Sequence, residues 1–147
     1  MRVRCGPEPA CQQAAAAFAQ PAEPVAALAG PHFGRWTGRT LKEVAATEAP
    51  GLEAWLNDPD ARPHGGESLT DLVRRLEVEL RSEESVSGRS LWVVTPLVAR
   101  ALPVAALAAP PALVLALDVS FGGEVRLSRN GDRWRLQGLR RSANHRS

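Results

Sequence analysis

The chain has 147 residues and 15.8 kDa, with 44% hydrophobic residues and a formal charge of +2. That is enough sequence for one domain with a real core and too little for two, and so small a charge excludes a polycationic nucleic-acid binder. No apolar run reaches the roughly 18 to 20 residues of a membrane span, and the start MRVRCG has no apolar stretch of the secretory type. Cys5 and Cys11 are too few for a disulfide scaffold or for the four ligands of a structural zinc. The composition reads as a cytoplasmic, soluble protein with no metal, no cofactor and no nucleic-acid or membrane partner.

In chain order, residues 2 to 5 read as a strand and residues 6 to 9 as a turn. Residues 11 to 20 read as an alanine-rich helix that Pro21 and Pro24 stop. Residues 31 to 39 form a loop in which glycines alternate with large side chains, so its backbone can wrap closely around a ligand or another element. Thr40 with Glu43 has the capping-box spacing and starts a helix through Thr47, and a further helical turn follows at residues 52 to 56. Residues 57 to 67 are a loop with two prolines and paired glycines. Ser68, answered by Asp71, caps a helix over residues 68 to 81 with Leu69, Leu72, Val73, Leu76 and Leu80 in one stripe.

Residues 91 to 95 read as a buried strand, and a helix runs from Pro96 to Ala109, weakened at Pro103 and ended by Pro110 and Pro111. The remainder reads as β: strand-like at residues 113 to 119, a turn or bulge at Phe121 to Gly123, and a hairpin within residues 124 to 137. In that hairpin Val125 and Leu127 answer Trp134 and Leu136 across Asn130-Gly131. One domain covers residues 1 to 139. Residues 140 to 147, with Arg140, Arg141, His145 and Arg146, read as a basic, solvated tail.

The segments FGRWTGRTLKEVA at 33 to 45, DPDARPHGGESLTDLVRRL at 58 to 76 and LWVVTPLVARAL at 91 to 102 carry a resemblance. In order and spacing the chain resembles the histidine phosphatase superfamily, with the phosphoglycerate-mutase-like fold. The resemblance implies an α/β class: a reduced three-layer α/β/α domain with a mixed sheet and a C-terminal antiparallel hairpin. CGPEPACQQAA at 5 to 15 is similar to the family's second strand and following helix, so the likeness begins after the first strand and the Arg-His-Gly motif that ends it. That motif occurs nowhere in this sequence. Ala10 falls at or near the family's pocket arginine, Gly30 at about its acidic residue, and Pro96 at its second histidine.

Two expectations follow. On these departures the chain reads as a truncated, catalytically degenerate member, a pseudoenzyme acting as a small-molecule-binding or protein-interaction subunit. The alternative is a repurposed isomerase, cyclase or hydrolase of small-molecule biosynthesis working in the old cleft. Its catalytic candidates are Glu67, which keeps the family's glutamate in GGES, with His32 and His64 on the two flanking loops. Arg35 and Arg39 are candidates for holding an anion, and Trp36 for packing or stacking on a flat ligand. An absent interior strand leaves either a closed-up sheet or an open edge, which a homodimer or a partner protein would cover.

Overall fold

The computed structural model describes residues 1–142. Of the expected basic tail, Arg140 closes the last strand and Arg141 pairs with Asp118; His145 and Arg146 lie outside the described residues.

Three short strands, β1 (Arg2–Cys5), β2 (Ala22–Pro24) and β3 (Ser90–Val93), form a parallel sheet in the order β2-β1-β3. Val3 lies opposite Ala22 on one side and Leu91 on the other. Alternation along the strands then divides the side chains between two faces. Val3, Cys5, Leu91 and Val93 meet helix α1 (Pro9–Ala15) through Cys11 and Ala15. Trp92 and Val94 turn the other way, into the main core built on helices α4 (Leu69–Ser82) and α5 (Pro96–Ala106). The result is the expected α/β/α layering. Helices α2 (Leu41–Thr47) and α3 (Ala49–Asn57) bring Val44 and Trp55 to the same core.

The capped leucine stripe is the best-formed element. Ser68 Oγ accepts from Asp71 N at 3.0 Å, and Asp71 Oδ2 accepts from Ser68 N at 2.9 Å, so two otherwise orphaned donors are satisfied reciprocally. The buried face is Leu69, Leu72, Val73, Leu76 and Leu80, with Thr70. Beside it Arg4 is buried at 6% exposure. Its guanidinium bonds Glu79 and, at 2.9 Å, Glu83, and it stacks 5.1 Å from the Trp92 ring.

Several boundaries differ from the sequence reading. Helix α1 ends at Ala15, and α5 ends at Ala106, where Ala108 takes a left-handed φ of 51°. Residues 111 to 116 form a 3₁₀ helix rather than a strand. Pro110 and Pro111 hold φ near helical values and supply no ladder N–H, and the turn drops Val114 into the core. Strand β2 was unforeseen: it is three residues long and ends on a proline, an arrangement an edge strand tolerates. The hairpin joins β4 (Glu124–Asn130) to β5 (Arg133–Arg140) through Gly131-Asp132, one position later than expected. The shift sets Leu127 opposite Leu136 and Arg129 opposite Trp134, and a bulge after Arg126 sets Val125 opposite Leu139.

The hairpin is a separate two-stranded sheet that packs on α5, and it is not hydrogen-bonded to β3. Among the described residues the outer edge of β3 has no paired strand, and residues 91 to 95 are only half-buried where a central parallel strand would be covered. No helix among the described residues is long and apolar enough to cross a membrane.

Leu76 is 0% exposed at the centre of the stripe, so Leu76→Ala is expected to cost about 2 to 5 kcal/mol. Urea unfolding monitored by tryptophan fluorescence measures this as a lower midpoint at unchanged slope.

Candidate active site

Glycine decides how the two loops meet. A Cβ on Gly34 would overlap the carbonyl oxygen of His64, and a Cβ on Gly66 would overlap that of His32, so only glycine at both positions lets the backbones touch. The contact is laced with hydrogen bonds. Arg35 N donates to His64 O at 3.0 Å and Glu67 N to His32 O at 2.8 Å, while His32 N donates to Glu67 Oε1 at 3.0 Å. The glycine-rich loops therefore wrap another element, each other, before they shape a pocket.

The joined loops bring His32 and Glu67 together and set His64 beneath them. His32 is exposed, and its Nδ1 accepts from Gly34 N at 3.2 Å. Glu67 is half-buried. Both its oxygens accept from Arg75, at 3.1 Å each. His64 is 2% exposed, edge-on to Phe33 and Trp36, with Nδ1 accepting from Gly66 N at 2.8 Å. Burial, with the Arg35 charge and His32 adding to it, holds its imidazole below the usual pKa and therefore neutral.

Arg35, Trp36 and Arg39 converge on one carboxylate. Glu48 accepts from Arg35 Nε, Trp36 Nε1 and Arg39 Nη1, each at 3.0 Å. These donors, Arg35 first, hold Glu48 below the ordinary carboxylate range. The two arginines are thus fixed at the loop's outer side with much of their charge answered.

Four residues that sequence reasoning missed complete the site: Glu8, Thr95, Arg75 and Glu48. Gly30 N donates to Glu8 Oε2 at 2.8 Å, and Thr95 Oγ1 lies 3.4 Å from where a Gly30 Cβ would stand. Glu8 follows the end of β1 and Thr95 the end of β3, the position at which open α/β sheets take ligands. Among the described residues Glu8 Oε1 and Thr95 Oγ1 are both buried without a hydrogen-bond partner. Beside Glu8, burial first and then the carboxylate push the Cys11 thiol up to about 11, which makes it a filler and not a nucleophile. Arg75 Nη2 reaches Gly30 O at 3.5 Å, so the strand ends, Gly30, Arg75, Glu67 and His32 form one continuous set. Arg75 and Gly30 link Glu67, the carboxylate of the expected trio, to the strand-end groups, and His64 is the member withdrawn into the core. Among the described residues no group of three or more His, Cys, Asp or Glu side chains could hold a metal ion.

The profile of the histidine phosphatase superfamily (branch 1) matches residues 2–142. Among solved structures the chain is similar to a mycobacterial glucosyl-3-phosphoglycerate phosphatase, at 24% identity and a TM-score of 0.81, covering 97% of this chain and 78% of the other. It is also similar to mycobacterial hydrolase 2, at 22% identity and a TM-score of 0.84, covering 100% of this chain and 73% of the other. The α-ribazole phosphatase of Shigella flexneri aligns at 22% identity and a TM-score of 0.79, covering 95% and 72%. No curated protein sequence gave a significant match. These findings correct the reading of a truncated, degenerate pseudoenzyme. The profile runs through nearly every described residue, and the solved phosphatases share the fold from one end of the chain to the other. The substitutions at Ala10 and Pro96 sit within the stretch that the family model matches, residues 2–142, so they do not support the non-phosphatase subunit.

His64 supplies a pH test. Its folded-state pKa is depressed, so unfolding takes up a proton and the stability it contributes is lost as pH falls below its ordinary value of 6.5. The thermal midpoint of the wild type is expected to drop on acidification through this range. In His64→Phe, which keeps the ring, calorimetry across the same range should find a flatter profile.

Proposed function

Because the chain belongs to the histidine phosphatase superfamily, matched over residues 2–142, we propose that it is a hydrolase of phosphate esters acting where β1 and β3 end. The observation that carries this is the continuity from Thr95 and Glu8 through Gly30 to Arg75, Glu67 and His32. It joins the family's glutamate to the strand ends. The phosphatase names of several structural neighbours support the substrate class.

With Pro96 after β3 and no Arg-His-Gly in the sequence, the proposed route is direct attack by water and does not pass through a phosphohistidine. Glu67 takes the proton from the attacking water, the new O–P bond forms in line with the ester P–O bond that breaks, the departing oxygen takes its proton from solvent, and Glu67 then returns its proton to solvent. His32 at the mouth donates to the departing oxygen or the phosphoryl group. His64 keeps the loops in register. Arg35 and Arg39, preset by Glu48, line the approach, and Trp36 packs beneath the loop as a core residue. Removing a general base costs about 10² to 10⁴ in rate, so Glu67→Gln should lower kcat on p-nitrophenyl phosphate by at least about 100-fold. A purified wild-type chain without turnover of this ester would overturn the hydrolase reading.

The reading also includes assembly. The unpaired edge of β3 leaves backbone donors and acceptors without a ladder, and a second copy of the chain covers it in a symmetric dimer. Light scattering at micromolar concentration should give about twice 15.8 kDa; a single-chain mass would reject the dimer and leave a partner protein as the cover. Two free, buried thiols suit a reducing compartment, and the proposed site of action is the cytoplasm.

A further inference from the structure

We infer that Arg75 is a positioning residue for this reaction, fixing the Glu67 carboxylate and the Gly30 loop as one unit. Its kinetic consequence rests on the hydrolase reading, and its geometry does not. Arg75 projects from the second turn of α4, the most firmly capped helix of the fold. Its Nε and Nη2 grip the two oxygens of Glu67 at 3.1 Å each. Its Nη1 donates to Ala27 O at 2.7 Å and Ala29 O at 2.9 Å, and Nη2 also reaches Gly30 O at 3.5 Å. Gly30 N is committed to Glu8, so Ala27 O cannot close the next 3₁₀ bond and takes the guanidinium instead.

One planar cation thus satisfies a turn of backbone and orients a carboxylate. A lysine has the charge for this but not the fork. Arg75 and His32 N together occupy both lone pairs of Glu67 Oε1 and one of Oε2. One Oε2 lone pair is left to take a proton from water. Freed from the fork, the carboxylate would turn about its last torsion, and misplacement by about 1 Å is enough to cost on the order of 100-fold in rate.

The test is Arg75→Ala, read in two ways. Amide hydrogen exchange at His32 reports whether Glu67 still holds its place, with the Asp71 amide, bonded to Ser68 Oγ, as internal reference for the fold. His32 exchange is expected to speed up at least tenfold while Asp71 stays unchanged, and guanidinium ion at tens of millimolar should slow it again. Turnover of p-nitrophenyl phosphate should fall about 100-fold in kcat with little change in KM, and guanidinium should partly restore it. Arg74→Ala, on the neighbouring exposed arginine, should change neither readout. Should Arg75→Ala unfold, Arg75→Lys keeps the charge and the stem and is read in the same way. An unaltered His32 amide overturns the inference whatever the turnover, as does wild-type kcat in an Arg75 variant. A responding amide in a chain that turns over no ester would instead sink the hydrolase reading and leave the placement of Glu67 standing.

Discussion

The approach of two backbones at Gly34 and Gly66 is the constraint on which the site depends. Any side chain at either position would push apart the loops that carry His32, His64 and Glu67. Once the loops are in contact, their polar groups have few other choices. The His64 ring sits beneath the contact against Phe33 and Trp36, and its Nδ1 is spent on Gly66. Glu67 is left facing His32 N on one side and Arg75 on the other. The geometry of the proposed site is therefore a by-product of a close packing contact, which helps to keep it rigid.

A second buried polar feature organises the far end of the sheet. Arg4, with Glu79 and Glu83, ties β1 to the C-terminal end of α4, and Trp92 of β3 covers the guanidinium. Buried ion pairs of this kind gain little net stability, because desolvation offsets the Coulomb attraction. What this one adds is direction: an apolar residue at position 4 could be satisfied by many packings, whereas the guanidinium is satisfied only when β1 lies over Glu79 and Glu83. Because Arg4 and Glu83 are buried, the pairing between them is little screened by salt.

Much of the architecture was legible in the sequence, because it rests on local signals. The Ser68 cap, the leucine stripe, Pro96 at the first turn of α5 and the glycine turn of the hairpin each specify an element within a few residues. The stretch after Pro111 is ambiguous because its small and branched apolar residues suit a strand and a buried 3₁₀ turn equally, and among the described residues no strand pairs with it to decide for the strand. The site was legible only in part. Glu67 and His32 stood beside glycines that marked the loops, but Arg75 lies inside a helix that any solvated arginine would suit, and Glu8 and Thr95 meet only through Gly30. The absent Arg-His-Gly motif and the proline at position 96 concern single positions, whereas the likeness to the family runs from residue 2 to residue 142.

The register of β1 against β3 bears on how the chain reaches this state. Arg2 pairs with Ser90 across more than half of the sequence, whereas the hairpin and α4 close through near neighbours. Closing a long loop costs conformational entropy that only the finished contact returns, so pairing of this kind comes after local structure has formed. In the interval both edges of β3 are free, with Leu91, Trp92 and Val93 exposed to whatever strand arrives first. A four-residue strand offers little to an intruder, and its brevity protects the chain while it waits for its own amino terminus.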